Sequence, residues 1–365
     1  MPGERHSAVL PGMSSLRTWV GQLWSGQGPK GIVLLYHSVR DASSDPQLLS
    51  VTPHRFASHM ACLASRYRVV SLHELVTGVS QGQHRDEKLV AVTFDDGYED
   101  NLTYARPVLE RYRVPATVFV ATGLMEENQE FWWDELERIF LQPSTLPQTC
   151  RVLLEEATYE RDLGSAASYG EDEFARHRRW SVMDRANPTA RHAIYRELCM
   201  LMRPMAPRKR EHVLEAIRAW SGMGGSARPA YRCLTPSQVK ELGAGSLVDI
   251  GAHSVSHAVF SKLSLDEQRK EICESRDQLE QIVGRRVTAF AYPYGTQADY
   301  GSETAGLLRE AGFAVGCSNF PGVIRKRHDV FQLPRFIVRD WDQGTFAEHL
   351  ECWFAGKVEK TSYGS

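Results

Sequence analysis

Short apolar runs alternate with amphipathic stretches along most of the chain. Residues 31–36, 89–92, 115–120, 247–251, 287–292, 313–316 and 331–338 are rich in β-branched and aromatic side chains. Runs of this length and character are the pattern of strands buried on both faces. Residues 68–72 form a shorter run of the same kind. Between the runs, apolar positions recur at helical spacing. Helices are expected from Pro53 to about Tyr67, on to about Val79, from Asn101 to Tyr112, from Thr235 to Leu242, from Ser264 to Gly284 and from Thr345 to Phe354. Thr235-Pro236-Ser237-Gln238 and Ser264-Leu265-Asp266-Glu267 read as capping boxes, which fix two of the helix starts. Strand and helix in alternation imply a parallel sheet or barrel with helices outside.

The rhythm breaks between residues 126 and 232, where every segment reads as helical. This stretch is expected to be a large helical insertion overhanging whatever site the barrel carries. The division expected is an N-terminal helical segment (1–29), a first barrel part (30–125), the insertion (126–232) and a second barrel part (233–365). Within the first of these, Leu16, Trp19, Val20, Leu23 and Trp24 share one helical face. That face could rest on a membrane as a peripheral contact through residues 13–24. The shortage of basic residues beside it favours a helix packed across the fold instead.

Composition narrows the class. The 365 residues are 42 % hydrophobic and 24 % charged, as in a soluble globular protein. A formal net charge of −2 provides no basic field for nucleic acid. The seven cysteines are scattered, odd in number and never in a Cys-x-x-Cys pair. That points to a reducing compartment rather than a disulfide framework. With no secretory signal recognised at the N-terminus, the expected location is the cytoplasm. Oligomeric state is not legible.

The candidate chemistry falls where apolar runs end. The run at 89–92 leads into Thr93-Phe94-Asp95-Asp96-Gly97-Tyr98, and the run at 31–36 ends at His37. In α/β proteins that end of the strands is where sites are built. Adjacent aspartates repel, and a cation or a shared proton relieves them. His253 and His257 follow another expected strand with i, i+4 spacing, which on a helix or a wide turn points both imidazoles at one cation. Two histidines and one carboxylate make a three-ligand metal site with a position open for water, and leave the second carboxylate free to take a proton.

Thr93-Phe94-Asp95-Asp96-Gly97, His253-Ser254-Val255-Ser256-His257 and Tyr292-Pro293-Tyr294-Gly295 together resemble, in order, the motifs of the polysaccharide deacetylase (NodB homology) family. The resemblance covers roughly residues 30–125 and 233–340. It implies an α/β fold, a distorted (β/α) barrel, and metal-dependent removal of an N-acetyl group from an amino sugar. It casts Asp95 as general base, Asp96, His253 and His257 as metal ligands, and the backbone N–H of Tyr294 as an oxyanion donor. Tyr98, Tyr292 and Pro293 are expected to touch substrate. One divalent ion is expected; zinc suits the ligand set, and nickel, cobalt or iron could occupy it. Tyr36-His37 and the Tyr-Pro-Tyr-Gly motif resemble a subgroup, the poly-N-acetylglucosamine deacetylases, which casts His37 as the acid. The family's late Leu-x-His is not visible, and His349, the other candidate acid, falls in an expected helix. The family's motif arginine would align with Ala291, so Arg335 is the expected replacement.

Without an export signal, a nucleotide sugar, a lipid-linked glycan intermediate or a small glycoside is the expected substrate. Two other readings stay open: a cyclic imide or ureide hydrolase on the same fold, and a non-catalytic carbohydrate-binding protein.

Overall fold

Seven short parallel strands in series, with an eighth, Arg68–Val69, paired parallel to the strand Lys88–Phe94, form the centre of the protein, seen in a computed structural model that describes residues 30–83, 87–125, 129–142, 144–154 and 157–357. The expected helix at 13–24, with its membrane contact, lies outside the described residues. The strands are β1 (Lys30–Tyr36), β2 (Lys88–Phe94), β3 (Ala116–Val120), β4 (Val248–Ala252), β5 (Ala289–Ala291), β6 (Val315–Cys317) and β7 (Phe336–Ile337). They lie side by side in the order β6-β5-β4-β3-β2-β1-β7, every pair parallel. A parallel bridge between Cys317 and Leu333, three residues before β7, joins the two edges and curls the sheet into a barrel. The expected strands at 287–292, 313–316 and 331–338 contribute only two or three ladder residues each, because the backbone leaves the sheet early on that side.

Helices Pro53–Arg66, Leu72–Ser80, Arg106–Tyr112, Pro236–Leu242, Leu265–Val283, Ser302–Glu310 and Gln343–Phe354 surround the strands. Both expected capping boxes form: Thr235 accepts from the Gln238 N–H and Ser264 from the Glu267 N–H. Side chains from the outward faces of the strands meet the helices in one continuous apolar core that includes Ile32, Leu34, Val90, Val92, Val118, Ile250 and Phe290. Among the described residues no helix is long and apolar enough to cross a membrane.

The stretch from 126 to 232 is not helical throughout. Helices Trp132–Leu141, Glu171–His177, Ala190–Met202 and Pro207–Ser221 are present, but an antiparallel hairpin, Thr149–Leu154 with Ala157–Asp162, stands between the first two. Cys150, Val152 and Leu154 are buried while Thr149, Arg151 and Leu153 face solvent. That is a period of two, which makes a strand of these residues and not a helix. The stretch has its own core of Phe131, Leu136, Ile139, Phe140, Leu198 and Ile217, joined to the barrel rim through Tyr98, Ala121 and Cys233.

Candidate active site

Because the strands are parallel, the residues that follow them gather on one rim. The ladder continues a step beyond the strands: the Asp95 N–H donates to the Tyr36 carbonyl at 2.9 Å, His253 to Val120 at 3.0 Å and Tyr292 to Cys317 at 3.0 Å. His37, Asp95, Asp96, His253 and Tyr294 therefore stand around a single mouth.

Asp96, His253 and His257 converge, each offering one ligand atom within 4.8 Å of the others. The Asp96 Oδ1 lies 3.4 Å from His253 Nε2 and 3.3 Å from His257 Nε2. His253 Nδ1 is 2.8 Å from the Ala291 carbonyl, which can only accept. The Nδ1 proton is thereby fixed, and Nε2 is the nitrogen that faces Asp96. Burial pushes the Asp96 carboxyl up, but hydrogen bonds with His253 and then His257 outweigh it and hold the group well below the carboxylate range. Two imidazole nitrogens converging on an ionised carboxylate are a donor set that fits a divalent cation of zinc type.

Local backbone geometry aims these side chains. Asp96, Ser254, His257 and Tyr294 have φ of +76°, +63°, +51° and +59°, the left-handed region that non-glycine residues rarely adopt. Such strain gathers at sites because neighbouring contacts hold it in place. The His253–His257 segment is a wide turn, not a helix. Glu271, from helix Leu265–Val283, accepts from the N–H groups of Val255 and Ser256 at 2.8 and 2.9 Å and from the Ser256 hydroxyl at 2.6 Å. Thr122 and Gly123 donate to the carbonyls of Ser254 and Val255. A Cβ at Gly123 would stand 2.7 Å from the Val255 oxygen, so only glycine permits this approach. Glu271 and Gly123 carry no motif in the sequence and were not foreseen.

Arg335 enters from inside the barrel, fully buried. Its Nη1 and Nη2 donate to the two oxygens of Asp95 at 2.7 and 2.6 Å, and its Nε donates to the Ser318 carbonyl at 2.7 Å. Burial raises the Asp95 carboxyl; Arg335, and after it His253, pull it below its ordinary value. The arginine expected from sequence as the partner of Asp95 is thus beside it.

His37 is half-buried on the rim. Burial lowers its pKa, opposed by the charges of Asp96 and Asp95, so the imidazole and both aspartates share one electrostatic site. The loop that carries it is latched by the next residues after the aspartates. Asn101 Nδ2 donates to the His37 carbonyl at 2.8 Å, and Asp100 accepts from the Ser38 hydroxyl and the Val39 N–H. Asn101 opens a π-helical turn, Asn101–Ala105, rather than the expected α-helix. His349 lies in helix Gln343–Phe354, stacked on Trp341 at 4.0 Å.

Three expected substrate contacts are corrected. Tyr98 is fully buried; its hydroxyl donates to Asp134 at 2.7 Å and receives the Trp133 indole N–H at 3.1 Å. Tyr292 is buried too, with its hydroxyl on the Phe331 carbonyl at 2.8 Å and its ring stacked on Tyr300 at 3.8 Å. Pro293 is buried as well. Tyr294 does remain at the rim, its ring 4.7 Å from that of His257, and its backbone N–H makes no hydrogen bond among the described residues.

The C-terminal rim of this parallel barrel carries two adjacent aspartates and a histidine pair. Residues 82–146 and 213–316 match the family described as "Polysaccharide deacetylase". Over 89 residues the chain is 37 % identical to YxkH of Bacillus subtilis (strain 168), a polysaccharide deacetylase by name; the match covers 24 % of this chain and 30 % of that protein. Over 114 residues it is 30 % identical to the poly-beta-1,6-N-acetyl-D-glucosamine N-deacetylase of Escherichia coli (strain K12), covering 31 % of this chain and 17 % of the relative. Both matches thus span less than a third of the relatives' own length. The fold is that of the Streptococcus pyogenes deacetylase PplD (TM-score 0.55, 18 % identity, 88 % of this chain and 99 % of that one). It is also that of IcaB from Ammonifex degensii (TM-score 0.54, 17 % identity, 91 % of this chain and 99 % of that one).

Proposed function

We propose that the chain is a metal-dependent hydrolase that removes the N-acetyl group from an amino sugar. The observation that carries this reading is the Arg335 fork, which holds Asp95 ionised beside the Asp96, His253 and His257 cluster. A metal-binding module needs the cluster; it has no use for a second, separately aimed carboxylate.

Asp96, His253 and His257 would hold the ion. A divalent cation there supplies Lewis acidity, lowering the pKa of water from about 15.7 to about 7 and polarising the amide carbonyl. Zinc suits the donors. Asp95 accepts the proton of the attacking water, and Arg335 keeps its two oxygens oriented for that transfer. The free Tyr294 N–H donates to the oxyanion that develops on the amide, a contribution of about 3–4 kcal/mol in comparable sites. The leaving amine is a strong base and must be protonated; His37, on the same rim, would pass on to it the proton that Asp95 takes from water.

The poly-N-acetylglucosamine relative supports an N-acetylated sugar as substrate. All seven cysteines are free thiols, which supports a reducing compartment and hence a nucleotide sugar, a lipid-linked intermediate or a small glycoside. The test is acetate release from N-acetylated sugars by zinc-loaded protein. Acetate from wild type but not from Asp95→Asn supports the reading. Turnover of a cyclic imide alone, or binding of sugar without turnover, would replace it with one of the two other readings.

A further inference from the structure

A cavity of about 560 Å³ opens between the insertion and the His253–His257 turn. Helices Trp132–Leu141 and Pro207–Ser221 wall it on one side; Val255, Ser256 and His257 wall it on the other. It therefore shares His257 with the cluster on the rim.

The charges in its wall are unevenly satisfied. Glu130 is held by Arg138 at 2.6 Å and Arg228 at 3.0 Å, Glu135 by Arg138 at 2.8 Å and Arg218 at 2.7 Å, and Glu211 by Arg218 at 2.7 Å. Every acidic group is thus already paired with an arginine. Arg210 differs from these. It is 6 % exposed, its guanidinium lies 5.4 Å over the Trp132 ring, and Nη2 donates to the Ser256 carbonyl at 3.2 Å. Its Nη1 is buried with no hydrogen-bond partner, and no carboxylate among the described residues forms an ion pair with it. A buried guanidinium without a counter-charge is costly unless an anion arrives. A planar fork in an aromatic-lined cavity is suited to a carboxylate or phosphate.

We propose that Arg210 recognises an anionic group, a carboxylate or a phosphate, on the substrate whose amide lies at the Asp96 cluster. The inference rests on the de-N-acetylase reading and narrows it. The preferred substrate is an acidic glycan or glycoconjugate, in which the N-acetylated sugar bears or adjoins the anion. Arg210 is then a specificity residue rather than a catalytic one.

The test has two parts that fail separately. In the first, chelator-treated full-length protein is titrated calorimetrically with glucuronate, with inorganic phosphate and with glucose. At least one of the two anions binds saturably and glucose does not. Binding weakens at least about tenfold in Arg210→Gln, a loss of about 1.4 kcal/mol. Whichever anion is lost identifies the source, a uronic acid or a phosphate. Arg210→Lys keeps the charge without the fork and falls between; if Arg210→Gln does not fold, this variant must show a loss in the same direction. Absence of binding by either anion, or equal binding by wild type and variant, overturns the proposal. In the second part, kcat/KM is compared between an N-acetylated oligosaccharide bearing the identified anion and its neutral counterpart. The wild type favours the acidic substrate, and the ratio falls in Arg210→Gln; a ratio equal in both proteins also overturns it. Should no acetylated sugar be hydrolysed at all, the de-N-acetylase reading fails, while the titration still decides whether Arg210 holds an anion.

Discussion

Arg335 grips Asp95 with both arms of its guanidinium, at 2.7 and 2.6 Å, in a fully buried pair. The two residues come from opposite ends of the barrel's sequence and meet because β7 closes against β1, which in turn pairs with β2. Arg335→Met leaves a buried carboxylate without its counter-charge. The expected cost is about 3–5 kcal/mol of stability, read from the urea midpoint. Turnover falls with it, because Asp95 then gains a proton more readily. Arg335→Lys restores charge without the fork and recovers only part of either property.

His37 and His349 separate the two candidate acids. His37→Ala is expected to lower kcat by about 10²–10⁴-fold while metal content is unchanged. His349→Ala, which removes a ring stacked on Trp341 in an outer helix, leaves kcat near the wild-type value. Acetate release at saturating substrate distinguishes them, and the reverse result would move the acid to His349.

Glu271 acts at one remove from the cluster, by bracing the turn between its two histidines. Glu271→Ala removes the carboxylate that accepts from the Val255 and Ser256 N–H groups. Metal affinity is expected to weaken about 10–100-fold, as for other groups that orient ligands. Competition with a chromophoric chelator measures this without reference to activity.

His59 gives the stability a defined pH dependence. It is fully buried, with Nε2 2.8 Å from the Trp341 carbonyl and its ring stacked on Phe346 at 4.1 Å. Burial lowers its pKa from 6.5 to about 4. Between those values the unfolded chain binds a proton that the folded chain refuses. The contribution is therefore complete above pH 6.5 and is lost as pH falls toward 4, by up to about 3 kcal/mol. His59→Gln, which does not titrate, is expected to flatten the fall of unfolding free energy across that window. An unchanged slope would show that other groups dominate it.

Much of the barrel was legible because a parallel sheet buried on both faces leaves continuous apolar runs, and because the chemistry sits where those runs stop. The aspartate pair, the histidine pair and Arg335 could be picked out for that reason. What stayed hidden depends on direction rather than position. Tyr98 and Tyr292 lie in motifs yet are buried, their hydroxyls held by Asp134 and by the Phe331 carbonyl. The hairpin at 149–162 joins charged and apolar residues in a short alternation that was absorbed into helical surroundings. In the run Arg208-Lys209-Arg210, which nothing in the sequence tells apart, Arg210 is the one whose side chain is buried. Glu271 resembles any other polar residue of an amphipathic helix, and only the backbone it holds reveals its part.

The most direct measurement is metal content per chain, taken by elemental analysis on wild type, His257→Ala and Asp95→Asn after zinc loading and desalting. About one equivalent in wild type and Asp95→Asn, lost in His257→Ala, is the result expected of a cluster that binds the ion while Asp95 stands apart as base. No retained metal in the wild type, or equal metal in all three proteins, would contradict the account.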